Sequence, residues 1–299
     1  MTLTIEHLSK SFQHFDAVKE LGFSAPSGEI FGLIGQNGAG KTTTFRMILN
    51  LLAPTTGTIV WNGKPVHELD RDRIGYLPEE RGLYPKMAVE DQLFFFGRLR
   101  GRKKAELKHQ IDYWLKRFGL KDKQRVPTET LSKGNQQKVQ LITAMIHRPE
   151  LLILDEPFSG LDPVNAELLK QAILDLKKQG ATIIFSSHRM DHVEELCDRI
   201  CLLKNGRSLF SGRIEQLKKQ YGKISLTLRG PFSASELQQL PGVTAAAREK
   251  DGWHLKLSDE TEAREIFRRV VGDGFIECFD LGYLSLEEIF KRKVGDRDV

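Results

Sequence analysis

The sequence predicts an α/β fold with a buried parallel sheet, followed by a small α+β unit, and three observations carry that reading. Gly35-Gln-Asn-Gly-Ala-Gly-Lys41-Thr42 fits the pattern G-x-x-x-x-G-K-S/T and sits between an apolar run and a helical one. Leu151-Leu-Ile-Leu-Asp155-Glu156 is a continuous apolar run that ends in two carboxylates, as expected of a strand covered on both faces. After Tyr221-Gly222 the pattern changes to short alternating strands and amphipathic helices.

Residues 2–8 and 17–24 read as opening antiparallel strands, and Glu29 to Ile34 as a buried strand. The helix expected over Lys41 to Asn50 would point its N-terminal amides and positive dipole end at whatever the preceding loop holds. In that loop Gly38 and Gly40 lack a Cβ, so the backbone can close around phosphate oxygens, with Gly35, Asn37 and Ala39 completing the cradle. Lys41 supplies a point charge for the β- and γ-phosphates, Thr42 a hydroxyl for Mg²⁺, and Thr43 adjoins them. Further strands read at 58–61 and 74–77.

Helical spacing then takes over. Leu107, Ile111, Trp114, Leu115 and Phe118 repeat on one face, as do Val139, Ile142, Met145 and Ile146, until Pro149 stops the run. A helical subdomain of about 85–148 therefore interrupts the α/β core, which resumes with strand 151–155, a helix carrying Leu168, Leu169, Ala172, Ile173 and Leu176 inward, and strands 181–185 and 199–203. In open parallel sheets the chemistry sits at the carboxyl ends of the strands, where Asp155 and Glu156 fall. Asp155 would support Mg²⁺ and Glu156 would orient and deprotonate an attacking water, although a strand running into an acidic turn has the same local pattern.

The last unit reads as strand 224–228, helix 233–240, strands 243–247 and 253–257, a helix marked by Ala263, Ile266, Phe267, Val270 and Val271, and strand 275–281. That order, β-α-β-β-α-β, is that of a ferredoxin-like split motif. Ser285 and Glu288 form an S-x-x-E box opening a final helix.

Leu131-Ser132-Lys133-Gly134-Asn135, just before the apolar run, resembles the L-S-G-G-Q signature of ABC ATPases, departing from it at Lys133 and Asn135. Ser159-Gly-Leu-Asp162 resembles the D-loop of that family, Phe185-Ser-Ser-His188 its H-loop, and Phe12 falls where it stacks an aromatic on adenine. The resemblance implies a P-loop NTPase (ABC ATPase) core with helical subdomain over residues 1–220, plus a small α+β C-terminal domain over 221–299. It further implies ATP and Mg²⁺ as ligands, His188 as a γ-phosphate contact in the transition state, Asp162 as a nucleotide-site residue, and Ser132 and Gly134 acting across a head-to-tail dimer. Glu79, in Gly75-Tyr-Leu-Pro78-Glu79-Glu80, stands where the family carries the Q-loop glutamine. An amide both donates and accepts, whereas a carboxylate only accepts, which is tolerable near Mg²⁺ and repulsive near bare phosphate oxygens, so how nucleotide state is sensed here stays open.

The C-terminal part, ending in Leu284-Ser-Leu-Glu-Glu-Ile-Phe, resembles the accessory domain of ATP-binding subunits of type-2 ABC exporters, with the 79–85 loop and the signature variant most similar to the sodium-extrusion branch. The implied function is an ATPase that couples dimer closure, as a homodimer or heterodimer of nucleotide-binding domains, to efflux through a separate integral membrane permease. The alternative is a soluble or regulatory ABC ATPase with a non-transport partner. Two cassettes, long coiled coils or zinc insertions, which mark the translation and repair types, are not visible in the sequence.

Composition agrees. With 40% hydrophobic and 28% charged residues in 299, the chain can bury a core. No apolar run nears the roughly 18 residues of a membrane span, and the first residues alternate like a strand rather than a signal peptide, so a cytoplasmic protein is expected, and the exporter resemblance implies that it is peripheral on the inner face of the cell membrane. Three cysteines are too few for a disulfide framework. The net charge of +5 is spread along the chain, so no nucleic acid partner is expected.

Two clusters have competing readings. His188 and His192, one helical turn apart around Asp191, have a spacing a metal site can use but no third ligand in reach. Phe94, Phe95 and Phe96 point about 100° apart on a helix, so at least one faces outward unless the helix is buried on most sides, and the family resemblance implies that an outward one meets the membrane partner.

Overall fold

In the computed structural model, which describes residues 1–80, 82–250, 252–272 and 275–294, two compact units follow one another, Met1–Gly212 and Arg213–Val299. The division falls ahead of residue 220. The Tyr221-Gly222 cue marks instead the close of a short helix, where Tyr221 N–H bonds to the Lys218 carbonyl and Gly222 N–H to that of Lys219.

The first unit opens with β1 (Thr2–Phe12) and β2 (Phe15–Pro26), an antiparallel pair. Both run past the expected ends because register shifts after Ile5 and Leu8 break the alternation that marks a strand in sequence. Next come β3 (Ile30–Ile34), α1 (Lys41–Ile48), β4 (Thr56–Trp61), the two-residue β5 (Lys64–Pro65) and β6 (Ile74–Leu77). Helices α2 (Val89–Leu99), α3 (Lys104–Arg117) and α4 (Lys133–Met145) follow. The chain then returns through β7 (Leu151–Asp155), α5 (Pro163–Lys178), β8 (Thr182–Ser187), α6 (Met190–Leu196), β9 (Arg199–Lys204) and β10 (Arg207–Arg213).

Two sheets result, one ordered β2-β1-β4-β5 and one ordered β10-β9-β3-β8-β7-β6. In the second, β9, β3, β8, β7 and β6 run parallel. Every residue of β3, β7 and β8 is buried, which is why their interiors read as apolar runs, Ile30–Ile34, Leu151–Leu154 and Ile183–Phe185. Strand β10 escapes the sequence reading because it is an edge strand with no buried residue. The core between the sheets gathers Leu3, Phe23, Phe31, Phe45 and Trp61, with the Phe23 and Phe31 rings stacked at 4.4 Å. Burying side chains of this size stabilises the fold by about 2–3 kcal/mol each.

The second unit comprises α7 (Ile214–Lys219), β11 (Ser225–Arg229), α8 (Ala234–Gln238), β12 (Val243–Glu249), β13 (Gly252–Leu257), α9 (Glu262–Gly272), β14 (Cys278–Gly282) and α10 (Leu286–Val294). Its sheet, β12-β13-β11-β14, is antiparallel throughout. That is the split β-α-β order. The last strand begins at Cys278 rather than 275, with Phe275 outside it and exposed. The expected S-x-x-E box forms: Ser285 Oγ accepts from Glu288 N–H at 3.3 Å while Ser285 N–H donates to the Glu288 carboxylate at 2.9 Å, and Ser233 and Glu236 make a second box at the start of α8.

Candidate functional site

Strand β8 lies between β3 and β7, with Asp155 opposite Ser186 and Ile34 opposite Ser187. Parallel pairing therefore brings the loop after β3, the Ser187-His188 turn and Asp155-Glu156 out abreast at one edge of the sheet. There a cleft of about 390 Å³ is lined by Asn37, Gly38, Gly40, Lys41, Thr42, Thr43, Glu79, Asp155 and Glu156, with Phe15 and Ala17.

The loop owes its shape to glycine. Gly38 (φ 80°) and Gly40 (φ 105°) are both in the left-handed region, and a Cβ on Gly40 would meet the Ala17 carbonyl at 2.5 Å. Gly40 caps α1 without a side-chain hydrogen bond, which leaves the first amides of the helix for a ligand. Lys41 Nζ donates to the carbonyls of Gly35 at 2.6 Å and Gln36 at 3.1 Å. Burial lowers the Lys41 pKa, opposed by the nearby charges of Glu156, Asp155 and Glu79. Ala39 is buried and ties the loop to the sheet, its carbonyl accepting from Gly206 N–H at 3.1 Å.

Thr42 Oγ1 donates to Asp155 Oδ2 at 3.0 Å. Asp155 Oδ1 accepts from Ser186 Oγ at 2.5 Å, and the same Ser186 oxygen accepts from Glu156 N–H at 3.0 Å. Glu156 has φ 48°, a left-handed conformation costing a non-glycine residue about 1–3 kcal/mol and concentrated at functional sites. Its Oε2 is 3.0 Å from His188 Nδ1, and its buried Oε1 has no hydrogen-bond partner among the described residues. Ser186 is the residue the sequence reading missed. A serine inside an apolar strand sends no signal until the strand order puts it against Asp155.

Of the expected contacts, Phe12 lies outside the lining and stacks at 5.3 Å on Phe15, which is in it. Ser132, Gly134 and Asp162 also lie outside the lining. Ser132 caps α4, accepting from Asn135 N–H at 3.4 Å, and Asp162 caps α5, accepting from Asn165 N–H at 3.0 Å. That bond leads the causes that lower the Asp162 pKa. Gly134 faces Leu161 and Asn165, since a Cβ there would stand 3.7 and 3.6 Å from their side chains, so the signature and the D-loop form a second surface of the chain.

The Thr42 hydroxyl and Asp155 carboxylate converge as hard oxygen donors, which suits Mg²⁺, an ion held by one or two carboxylates plus phosphates rather than by a full protein cage. No cluster of three His, Cys, Asp or Glu side chains fit for a metal occurs among the described residues. His188 turns to Glu156, whereas His192 is buried with its ring 4.5 Å from Phe158. They do not form a pair of ligands.

The loop after β6 leads from the cleft to an aromatic patch. Gln140 of α4 donates from Nε2 to the carbonyls of Pro78 at 3.2 Å and Glu80 at 3.1 Å, and Gln92 accepts from Tyr84 N–H at 2.5 Å. The Tyr84 ring contacts Phe95 and Phe96, at 5.6 and 6.0 Å, and Phe95 is 42% exposed. Phe95 is thus an outward member of the triple run. No helix among the described residues is long and apolar enough to cross a membrane.

Comparison with known proteins agrees with this geometry. Residues 18–159 match the ABC transporter family, and residues 212–294 match the C-terminal domain of DrrA1-3-like ATP-binding proteins. A solved ATP-binding subunit of an ABC transporter superposes with a TM-score of 0.70 at 32% identity, over 74% of this chain and 94% of that one. The chain is 39% identical to the Nod factor export ATP-binding protein I of Sinorhizobium fredii, over 99% of this chain and 86% of that protein. It is 50% identical to the uncharacterized ABC transporter ATP-binding protein YhaQ of Bacillus subtilis over 98% of both. Identity of this degree along nearly the whole of both proteins leaves one assignment: the chain belongs to the ABC transporter ATP-binding protein family.

Proposed function

We propose that the chain is the ATP-hydrolysing subunit of an export system, working as a dimer of nucleotide-binding domains against a separate membrane permease at the inner face of the membrane. The observation that carries the catalytic part is the convergence of Lys41, Thr42, Asp155, Glu156 and His188 at one edge of the sheet. The export part rests on similarity to proteins such as the Nod factor export subunit, and the likeness of the 79–85 loop to the sodium-extrusion branch makes a small cation the first cargo to test.

In this reading Lys41 and the amides of the Gly35–Thr43 loop bind the phosphates, and Phe15, with Phe12 stacked behind it, offers a ring for the base. Mg²⁺, held by Thr42 and through Asp155, neutralises phosphate charge when bound. Glu156 takes a proton from water as its oxygen attacks the γ-phosphorus. The bond from that phosphorus to the bridging oxygen breaks, its electron pair stays on ADP, and inorganic phosphate leaves. His188 steadies both the Glu156 carboxylate and the transferring group. Ser132, Gly134 and Asp162 serve the nucleotide of a second copy, in keeping with their absence from the lining of their own cleft.

The test is ATP binding and phosphate release by the purified chain. Lys41→Ala should weaken ATP binding at least about tenfold by removing the loop's one charged donor. Glu156→Gln should keep binding and lose turnover. ATP affinity unchanged in Lys41→Ala would sink the assignment of the cleft, and cargo-stimulated ATPase activity of the permease complex decides the export part.

A further inference from the structure

The cleft lining sets one cation, Lys41, against three carboxylates, Glu79, Asp155 and Glu156. All three favour the charged form of Lys41, so each carboxylate is close enough for its charge to matter there. Two have partners within the site: Asp155 is bonded by Thr42 and Ser186, and Glu156 faces His188. Glu79 is different. It is exposed, and it reaches the cleft from the loop after β6, whose backbone is clamped on both sides of it by Gln140, through Pro78 and Glu80. That clamp holds Glu79 at the mouth of the cleft while the adjacent Glu80 stays out of the lining.

We propose that Glu79 acts as a charge filter that favours the metal-bound form of a triphosphate over the free one. The proposal rests on the reading of the cleft as an ATP site. A carboxylate has no proton to donate to a phosphate oxygen, so it repels a free triphosphate. One like-charge contact at about 5 Å, in a medium of effective dielectric about 50, is worth on the order of tenfold in an equilibrium constant. A divalent cation on the phosphates removes that repulsion and gives the same carboxylate an attractive partner. An amide in its place would be indifferent to the metal, because it can donate to bare phosphate oxygens and accept toward a cation. The consequence is a nucleotide affinity more steeply dependent on Mg²⁺ than the rest of the site dictates.

The experiment is calorimetric titration of the full chain with ATP, once with excess Mg²⁺ and once with EDTA, for wild type, Glu79→Gln, Glu80→Gln and Lys41→Ala. The ratio of the two dissociation constants should be about tenfold smaller in Glu79→Gln than in wild type, chiefly through tighter metal-free binding, while Glu80→Gln keeps the wild-type ratio. A wild-type ratio in Glu79→Gln overturns the proposal, as does an equal change in Glu80→Gln, which would make the effect one of general surface charge. Loss of the ATP reading looks different: wild type would bind no ATP even with Mg²⁺, or Lys41→Ala would bind it as well as wild type does, and both readings would then fall.

Discussion

Nδ1 of His188 stands 3.0 Å from Oε2 of Glu156, while Oε1 of that carboxylate is buried without a hydrogen-bond partner among the described residues. One oxygen is thus steadied, and in the proposed reaction the other takes the proton of the attacking water. The two residues belong to different strand ends and meet because β7 and β8 are parallel neighbours.

Removing the imidazole should slow the chemical step more than it weakens binding. His188→Ala is expected to lower kcat about 10²-fold or more, the usual effect of losing a transition-state contact, with KM for ATP changed only a few-fold. Steady-state phosphate release checks this. A variant with normal kcat and raised KM would assign His188 to ground-state binding.

Glu156→Gln should go further, losing about 10³-fold in turnover while ATP still binds, since the loop contacts are untouched. On size-exclusion chromatography that variant should run as a dimer in ATP and as a monomer without it. A monomer under both conditions would argue against closure of two copies over nucleotide.

Ser186 bonds to both Asp155 and the Glu156 amide. Ser186→Ala leaves a buried carboxylate oxygen and a buried N–H short of a partner, at a cost of about 1–3 kcal/mol in stability. Turnover should also drop by at least about tenfold, because the positive φ of Glu156 loses its tether. Urea unfolding and phosphate release measure the two effects separately, and full activity in a destabilised protein would make Ser186 purely structural.

At the aromatic patch, Phe95→Ala should cost less than about 1 kcal/mol in stability and leave basal ATPase activity near normal, as expected for an exposed side chain. Co-purification with the permease should fall sharply, because exposed aromatics anchor interfaces. Retained co-purification would remove Phe95 from the docking surface.

His147 supplies a pH dependence. It is buried, with Nε2 3.1 Å from the Ile74 carbonyl and Nδ1 without a partner among the described residues. Burial pushes its pKa down from 6.5 to about 4. The unfolded chain therefore binds a proton below about pH 6.5 that the folded chain refuses until about pH 4, so stability falls as pH drops through that window. Between pH 7 and pH 5 the loss from this group is about 2 kcal/mol. Urea unfolding of wild type and His147→Gln at both pH values should show the variant losing correspondingly less, and identical losses would refute the assignment.

What the sequence determined by itself is whatever rests on neighbouring residues. The Gly35–Thr42 loop is contiguous, and its function depends on local backbone freedom, so eight letters suffice to recognise it. The same holds for buried strands such as Leu151–Asp155, and for the Ser285–Glu288 box, whose partners are three residues apart. The tertiary structure decided what depends on pairs distant in the chain. Ser186 becomes a site residue only through the strand order that sets it beside Asp155. Glu79, on the loop after β6, gains its position from Gln140 of α4. Phe12 and Phe15 have the same side chain on facing strands, and only the course of the chain between them puts Phe15 in the cleft. Periodicity reports which face of an element is covered, but the partner that covers it is chosen by packing across the whole fold.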